Sequence, residues 1–68
     1  MQELSRITFN PSVMGGKACI RGMRVTVGMI VQAVAAGRTP HEVLADLPYL
    51  EAEDIDQALA YAARRATA

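Results

Sequence analysis

Tryptophan is absent, and Phe9, Tyr49 and Tyr61 are the only aromatic residues among 68. With 51% hydrophobic residues but so few large rings, the chain has little with which to build an interior. A domain this small buries only about 60% of its unfolded surface, so support from a second copy or a bound partner is expected. Cys19 is the single cysteine; it excludes an intramolecular disulfide and fits a reducing compartment. One cysteine and one histidine, His41, also exclude a tetrahedral zinc site closed within the chain. No apolar run approaches the roughly 20 residues of a membrane span. The opening MQELSRITF lacks the apolar stretch of a signal peptide. These features predict one cytoplasmic domain over residues 1–68, with no membrane role.

Net charge is zero, yet it is segregated. Residues 1–38 carry Arg6, Lys17, Arg21, Arg24 and Arg38 against Glu3, a balance of +4. Residues 39–68 carry Glu42, Asp46, Glu51, Glu53, Asp54 and Asp56 against Arg64 and Arg65, a balance of −4. Two readings stay open: two surfaces with different partners, one of them nucleic acid, or halves that neutralise one another, within a protomer or head to tail in a dimer.

What the chain does have is a glycine-punctuated basic loop running straight into an amphipathic helix. Ile7, Thr8 and Phe9 predict a short strand over 6–10, closed by Asn10-Pro11-Ser12. Further strands are predicted over 18–20 and 24–27, with Gly15, Gly16 and Gly22 permitting positive φ or close approach between them. Two-stranded ribbons are marginal alone. The arm, residues 1–26, must lie on the helices or pair with the arm of another copy.

The remainder, 27–66, predicts a three-helix bundle. Val27, Ile30, Val31 and Val34 fall at helical spacing, with Thr26 as N-cap and Gly37 just past the end. Thr39-Pro40-His41-Glu42 spells a capping box with proline at the first position of a second helix. That helix presents Val43, Leu44 and Leu47 inward and stops before Pro48. A third helix starts near Ala52, with Ile55, Leu59, Ala62 and Ala66 as its inner stripe and Asp54, Gln57, Tyr61, Arg64 and Arg65 outside.

Tight connections place the last two helices in helix-turn-helix order. In such folds the last helix reads DNA with its N-terminal end, but here that end carries Glu51, Glu53, Asp54 and Asp56. The acids repel phosphates. Any DNA contact is therefore assigned to the arm and loop, through Lys17, Arg21, Arg24 and Arg38.

The ordered run Pro11, Gly15-Gly16-Lys17, Ile20-Arg21-Gly22, Arg24, Val27, Gly37-Arg38-Thr39, Glu42, Leu47-Pro48, Leu50, Glu53-Asp54-Ile55 and Ala58-Leu59 resembles the prokaryotic family known as domain of unknown function 433. The resemblance covers about residues 6–63. It implies a homeodomain-like helix-turn-helix fold and the role of an antitoxin, often encoded beside a small PIN-like ribonuclease toxin. The chain departs from the family pattern at Ala18, where proline is usual, at Met23, where threonine is usual, and at Glu51, where a threonine or serine cap is common. These departures bear on the loop and the cap rather than on the fold.

Catalytic chemistry finds no footing. Gly16-Lys17 is not a phosphate loop, because Pro11 stands where that motif needs glycine and Ala18 where it needs Ser or Thr. Ser12, His41 and Asp46 have no spacing that sets a nucleophile beside a base. Cys19, in an apolar run, reads as a small buried hydrophobe. Arg21 and Arg24 fit DNA phosphates, partner acids, or the carbonyl ends of their own helices. Tyr61, Arg64 and Arg65 fit a partner surface, because Tyr and Arg are enriched at binding hot spots, or a solvated face of an alanine-rich helix.

The resulting expectation is a mainly α domain, three helices and a short N-terminal β arm, with Gly15, Gly16, Gly22 and Gly37 as structural loop positions. It has no cofactor, metal or catalytic residue. It acts as a homodimeric antitoxin that binds a PIN-like toxin and duplex DNA. The alternative is a protein-interaction adaptor or dimerisation module without a DNA role.

Overall fold

The computed structural model describes residues 4–66; Glu3, counted in the charge balance, and the two ends of the 1–68 domain lie outside them. The chain runs β1 (Ile7–Thr8), a 3₁₀ turn (Met14–Gly16), β2 (Cys19–Ile20), α1 (Val27–Ala35), α2 (Pro40–Asp46) and α3 (Ala52–Ala66). It is a three-helix bundle carrying a short antiparallel ribbon, with Ile7 opposite Ile20 and Thr8 opposite Cys19.

The ribbon is shorter than its sequence predicts. The expected strand over 24–27 reduces to one bridge between Cys19 and Thr26, because Thr26 turns away to cap α1, its hydroxyl accepting the Met29 N–H at 3.1 Å. Between Ile20 and Val25 the chain makes a tight turn in which the Met23 N–H reaches the Ile20 carbonyl at 2.8 Å. Both central residues have positive φ, 47° at Arg21 and 73° at Gly22, as hairpin turns that follow strand twist require. Gly22 adopts this freely. Arg21 does so at a cost of roughly 1–2 kcal/mol.

The helix signals translate directly. Past α1 the Arg38 N–H bonds the Ala33 carbonyl at 3.1 Å and the Gly37 N–H bonds the Val34 carbonyl at 3.0 Å, a Schellman closure that places Gly37 at φ 96°. At α2, Thr39 Oγ1 accepts the Glu42 N–H at 3.1 Å while Glu42 Oε1 accepts the Thr39 N–H at 2.8 Å. The first turn of α3 is closed differently. Glu51 offers no hydroxyl; Asp54 Oδ2 accepts the Glu51 N–H at 2.8 Å instead.

The core lies between α1 and α3, where Ile20, Ile30 and Ile55 are fully buried and Val43 and Leu50 bring in α2 and its following connection. Each such side chain contributes about 1.5–3 kcal/mol. Val34 stays half-buried outside the cluster. The predicted faces of α3 need two corrections. Ala66 is exposed, while Asp54 and Gln57, assigned to the outer face, are 0% and 4% exposed. The cause is the arm, which packs across the first half of α3 and donates the Arg6 N–H to Gln57 Oε1 at 2.8 Å. Of the two placements open to the arm, the described chain takes the one on its own helices.

Candidate functional site

The charged half-sequences meet at Asp54. Arg21 Nε lies 3.1 Å from Asp54 Oδ1, and Arg21 NH2 lies 2.9 Å from Oδ2. Arg6 NH1 donates to Oδ1 at 2.9 Å and also to Glu51. Burial pushes the Asp54 carboxyl up, but the Arg21 and Arg6 guanidiniums and the Glu51 N–H outweigh it and hold the pKa below the ordinary aspartate value. Hydrogen bonds to Glu51 and then Asp54 raise Arg6, and the bond to Asp54 raises Arg21. Arg21 further donates to the Tyr49 carbonyl at 2.9 Å. Arm, hairpin and α3 are thus tied at one buried carboxylate.

This pairing accounts for much of the segregated charge. Of the five cations in the first half, Arg6 and Arg21 bind the start of α3, and Arg38 binds Asp46 of α2. Among the four positions assigned to nucleic acid, only Lys17 and Arg24 leave their charged groups without an ion pair or hydrogen bond among the described residues, and both are exposed. The acidic end of α3 is covered as well: Asp54 is buried and Glu51 faces Arg6, which leaves Glu53, holding Gln57 at 3.2 Å, and Asp56 outward.

The loop glycines sit where the turns are tightest. Gly15 and Gly16 form the 3₁₀ turn with Met14, which itself has φ 50°. His41 is exposed at the start of α2. Cys19 is buried, its thiol donating to the Lys17 carbonyl. No group of three or more His, Cys, Asp or Glu able to hold a metal occurs among the described residues, and no helix of the described residues is long and apolar enough to cross a membrane.

The second concentration of features lies on the other side of the arm. Tyr61 on α3 is half-buried, its ring centroid 6.0 Å from that of Phe9 and tilted by 53°. The Arg65 guanidinium sits 5.9 Å above the same ring, a cation–π distance. Arg64 stands beside them on the rim of a smaller recess of about 340 Å³, lined also by Leu4 and Ile7. Next to it a broad groove of about 1100 Å³ opens between the 3₁₀ turn, the first turn of α1 and the end of α3. Phe9, 61% exposed, and Met29, 45% exposed, line this groove. Two of the three predicted partner residues, Tyr61 and Arg65, therefore face it.

Sequence reasoning missed Phe9 and Asp54 as site residues. Phe9 reads as one residue of the strand predicted over 6–10, whereas the ribbon ends at Thr8 and leaves Phe9 exposed. Asp54 sits where helices carry acids for their dipole, and its burial depends on arginines 33 and 48 positions away.

The comparisons bear on the whole domain. A family model described as "Protein of unknown function (DUF433)" matches residues 7–62. The crystal structure of a DUF433 member protein from Anabaena variabilis superposes with a TM-score of 0.82 at 37% identity, over 87% of this chain and 58% of that one. The uncharacterized protein y4eO of Sinorhizobium fredii is 39% identical over 56 residues, 82% of this chain and 25% of that relative. The chain thus spans a quarter of the length of the curated relative it matches. With the family model spanning nearly every described residue and the same fold in a member's crystal structure, the chain belongs to the DUF433 family.

Proposed function

We propose that this chain is a protein-binding module acting as the antitoxin of a toxin–antitoxin pair, silencing a PIN-like ribonuclease by direct contact. The observation that carries the reading is an asymmetry: the charges at the start of α3 close on one another inside the protomer, while the apolar groove beside Tyr61 stays open. A surface with Phe9 and Met29 outward favours a protein partner. The arm holds Phe9 against Tyr61, and α1 and α3 supply rigid walls.

Operator binding is a second reading, favoured by Lys17 and Arg24, the two exposed cations of the first half that stay unpaired among the described residues. Two phosphate contacts per protomer give only weak binding, so a DNA role needs a dimer or the assembled complex.

Co-purification tests the reading. The tagged chain, expressed in its native host, should recover one small nuclease-like protein at near-equal stoichiometry. Recovery of the chain alone, or of unrelated proteins in variable amounts, overturns the antitoxin assignment.

A further inference from the structure

We infer that the groove between the Met14–Gly16 turn, α1 and α3 is the docking slot for an acidic amphipathic segment of the partner. Its apolar side chains would lie on the groove floor and its carboxylates would meet Lys17 and Arg65. The inference rests on the reading that the chain acts by binding a protein, and it specifies the chemistry of what is bound.

The floor is built for apolar side chains. Phe9, Met29 and Tyr49 are the large hydrophobics exposed among the described residues, and the first two converge on this groove from the arm and from α1. Met14 joins them, and Ala62 leaves the α3 wall low enough for close approach. Unbranched methionines repack around whatever enters.

Charge identifies the occupant. Lys17 and Arg65 line the groove, and no aspartate or glutamate does among the described residues. The first turn of α1, Thr26 to Met29, opens on the same space and adds the positive end of a helix dipole. Outside the groove Arg6, Arg21 and Arg38 each face a carboxylate, and Arg24 stands exposed away from any apolar floor. The groove therefore keeps an uncompensated positive rim over an apolar floor, the complement of a segment that pairs leucine-like residues with acids. Duplex DNA would gain from the rim but nothing from the floor. A second copy of this chain offers fewer carboxylates, because among the described residues its own Asp46, Glu51 and Asp54 are already paired and Glu42 closes the cap of α2, which leaves Glu53 and Asp56 outward.

Two synthetic helical peptides of about three turns, with the same leucine stripe and flanked by glutamates in one and lysines in the other, test this against the isotope-labelled full chain. The glutamate peptide should move the amide signals of Ala18, Gly28 to Val31 and Tyr61 to Arg65, and bind about tenfold tighter than the lysine peptide. The exposed double variant Lys17→Glu/Arg65→Glu, whose free spectrum reports that the fold is kept, should invert that preference. Silence with both peptides, equal affinity for both, or shifts confined to another face overturns the inference. Signals that move with the chain's own concentration and resist both peptides place a second copy in the groove and overturn it too. The two levels separate cleanly. Peptide binding at the groove with no nuclease recovered from cells removes the antitoxin reading alone, whereas a captured nuclease that holds the double variant as tightly as the wild type removes the groove inference alone.

Discussion

Arg21 reaches Asp54 through two nitrogens, Nε 3.1 Å from Oδ1 and NH2 2.9 Å from Oδ2, and does so from a backbone held at φ 47°. The strained hairpin and the buried carboxylate belong to one device. The turn aims the guanidinium at the start of α3, and the carboxylate holds the turn. Because Arg6 shares the same carboxylate, the arm is fixed as well.

Asp54→Asn keeps the shape but removes the charge that two guanidiniums surround. Breaking a fully buried pair from one side costs about 3–5 kcal/mol; here the arginines left behind are 28% and 37% exposed, so water takes up part of that loss and the cost falls below this range. Urea denaturation should show the midpoint falling sharply. A midpoint near that of the wild type would mean that the two arginines find water as readily as Asp54.

The same site sets the acid limit. The folded pKa of Asp54 is depressed below its ordinary value of 3.8, so its contribution is fully present above that value and is lost as pH falls through the folded pKa. Glu42, lowered chiefly by the Thr39 backbone N–H, adds a loss of the same sign. Thermal melts should be flat near neutrality and fall steeply below about pH 4. In Asp54→Asn the fall should shrink.

Two glycines should respond with opposite signs. Gly37 has φ 96° with open space around an added Cβ, so Gly37→Ala destabilises through backbone strain alone, by about 1 kcal/mol. Gly28 lies in α1 with ordinary φ, and a Cβ there meets Thr26 Oγ1 at 3.8 Å. Gly28→Ala should stabilise by about 0.5–1 kcal/mol. Each kcal/mol shifts Tm by about 4–8 °C in a domain of this length, so calorimetry resolves both.

These elements differ in how legible they are. The caps at Thr26 and Thr39 and the stops at Gly37 and Pro48 are local chemistry, and α1 and α2 begin and end where those residues predict. The strand over 24–27 failed because Thr26 cannot continue a strand and cap a helix at once. The α3 faces failed because Asp54 and Gln57 are polar, and a hydrophobic stripe counts only apolar residues. The positions Asp54, Gln57, Ala58 and Tyr61 do share helical spacing, yet the burial of Asp54 and Gln57 goes with the approach of Arg6 and Arg21, which no local pattern encodes. Tyr61 and Arg65 were legible as a pair; the groove they border needed the fold, since Phe9 and Met29 come from other elements.

If operator DNA is bound through the loop, Lys17→Ala and Arg24→Ala should each flatten the salt dependence of binding by about one unit of slope with the fold intact. Arg38→Ala should act weakly, its charge being engaged with Asp46. Fluorescence anisotropy across a salt series reads this out. Unchanged slopes in both variants would remove the loop from DNA contact.

Cleavage of RNA by the co-purified partner, followed as the chain is titrated back, tests the central claim most directly. The account predicts that activity falls to background near equal stoichiometry with the wild-type chain and persists with Phe9→Asp. That exposed position reports the surface rather than the core. A partner that cleaves RNA equally well at every ratio, or that has no ribonuclease activity once released, would contradict it.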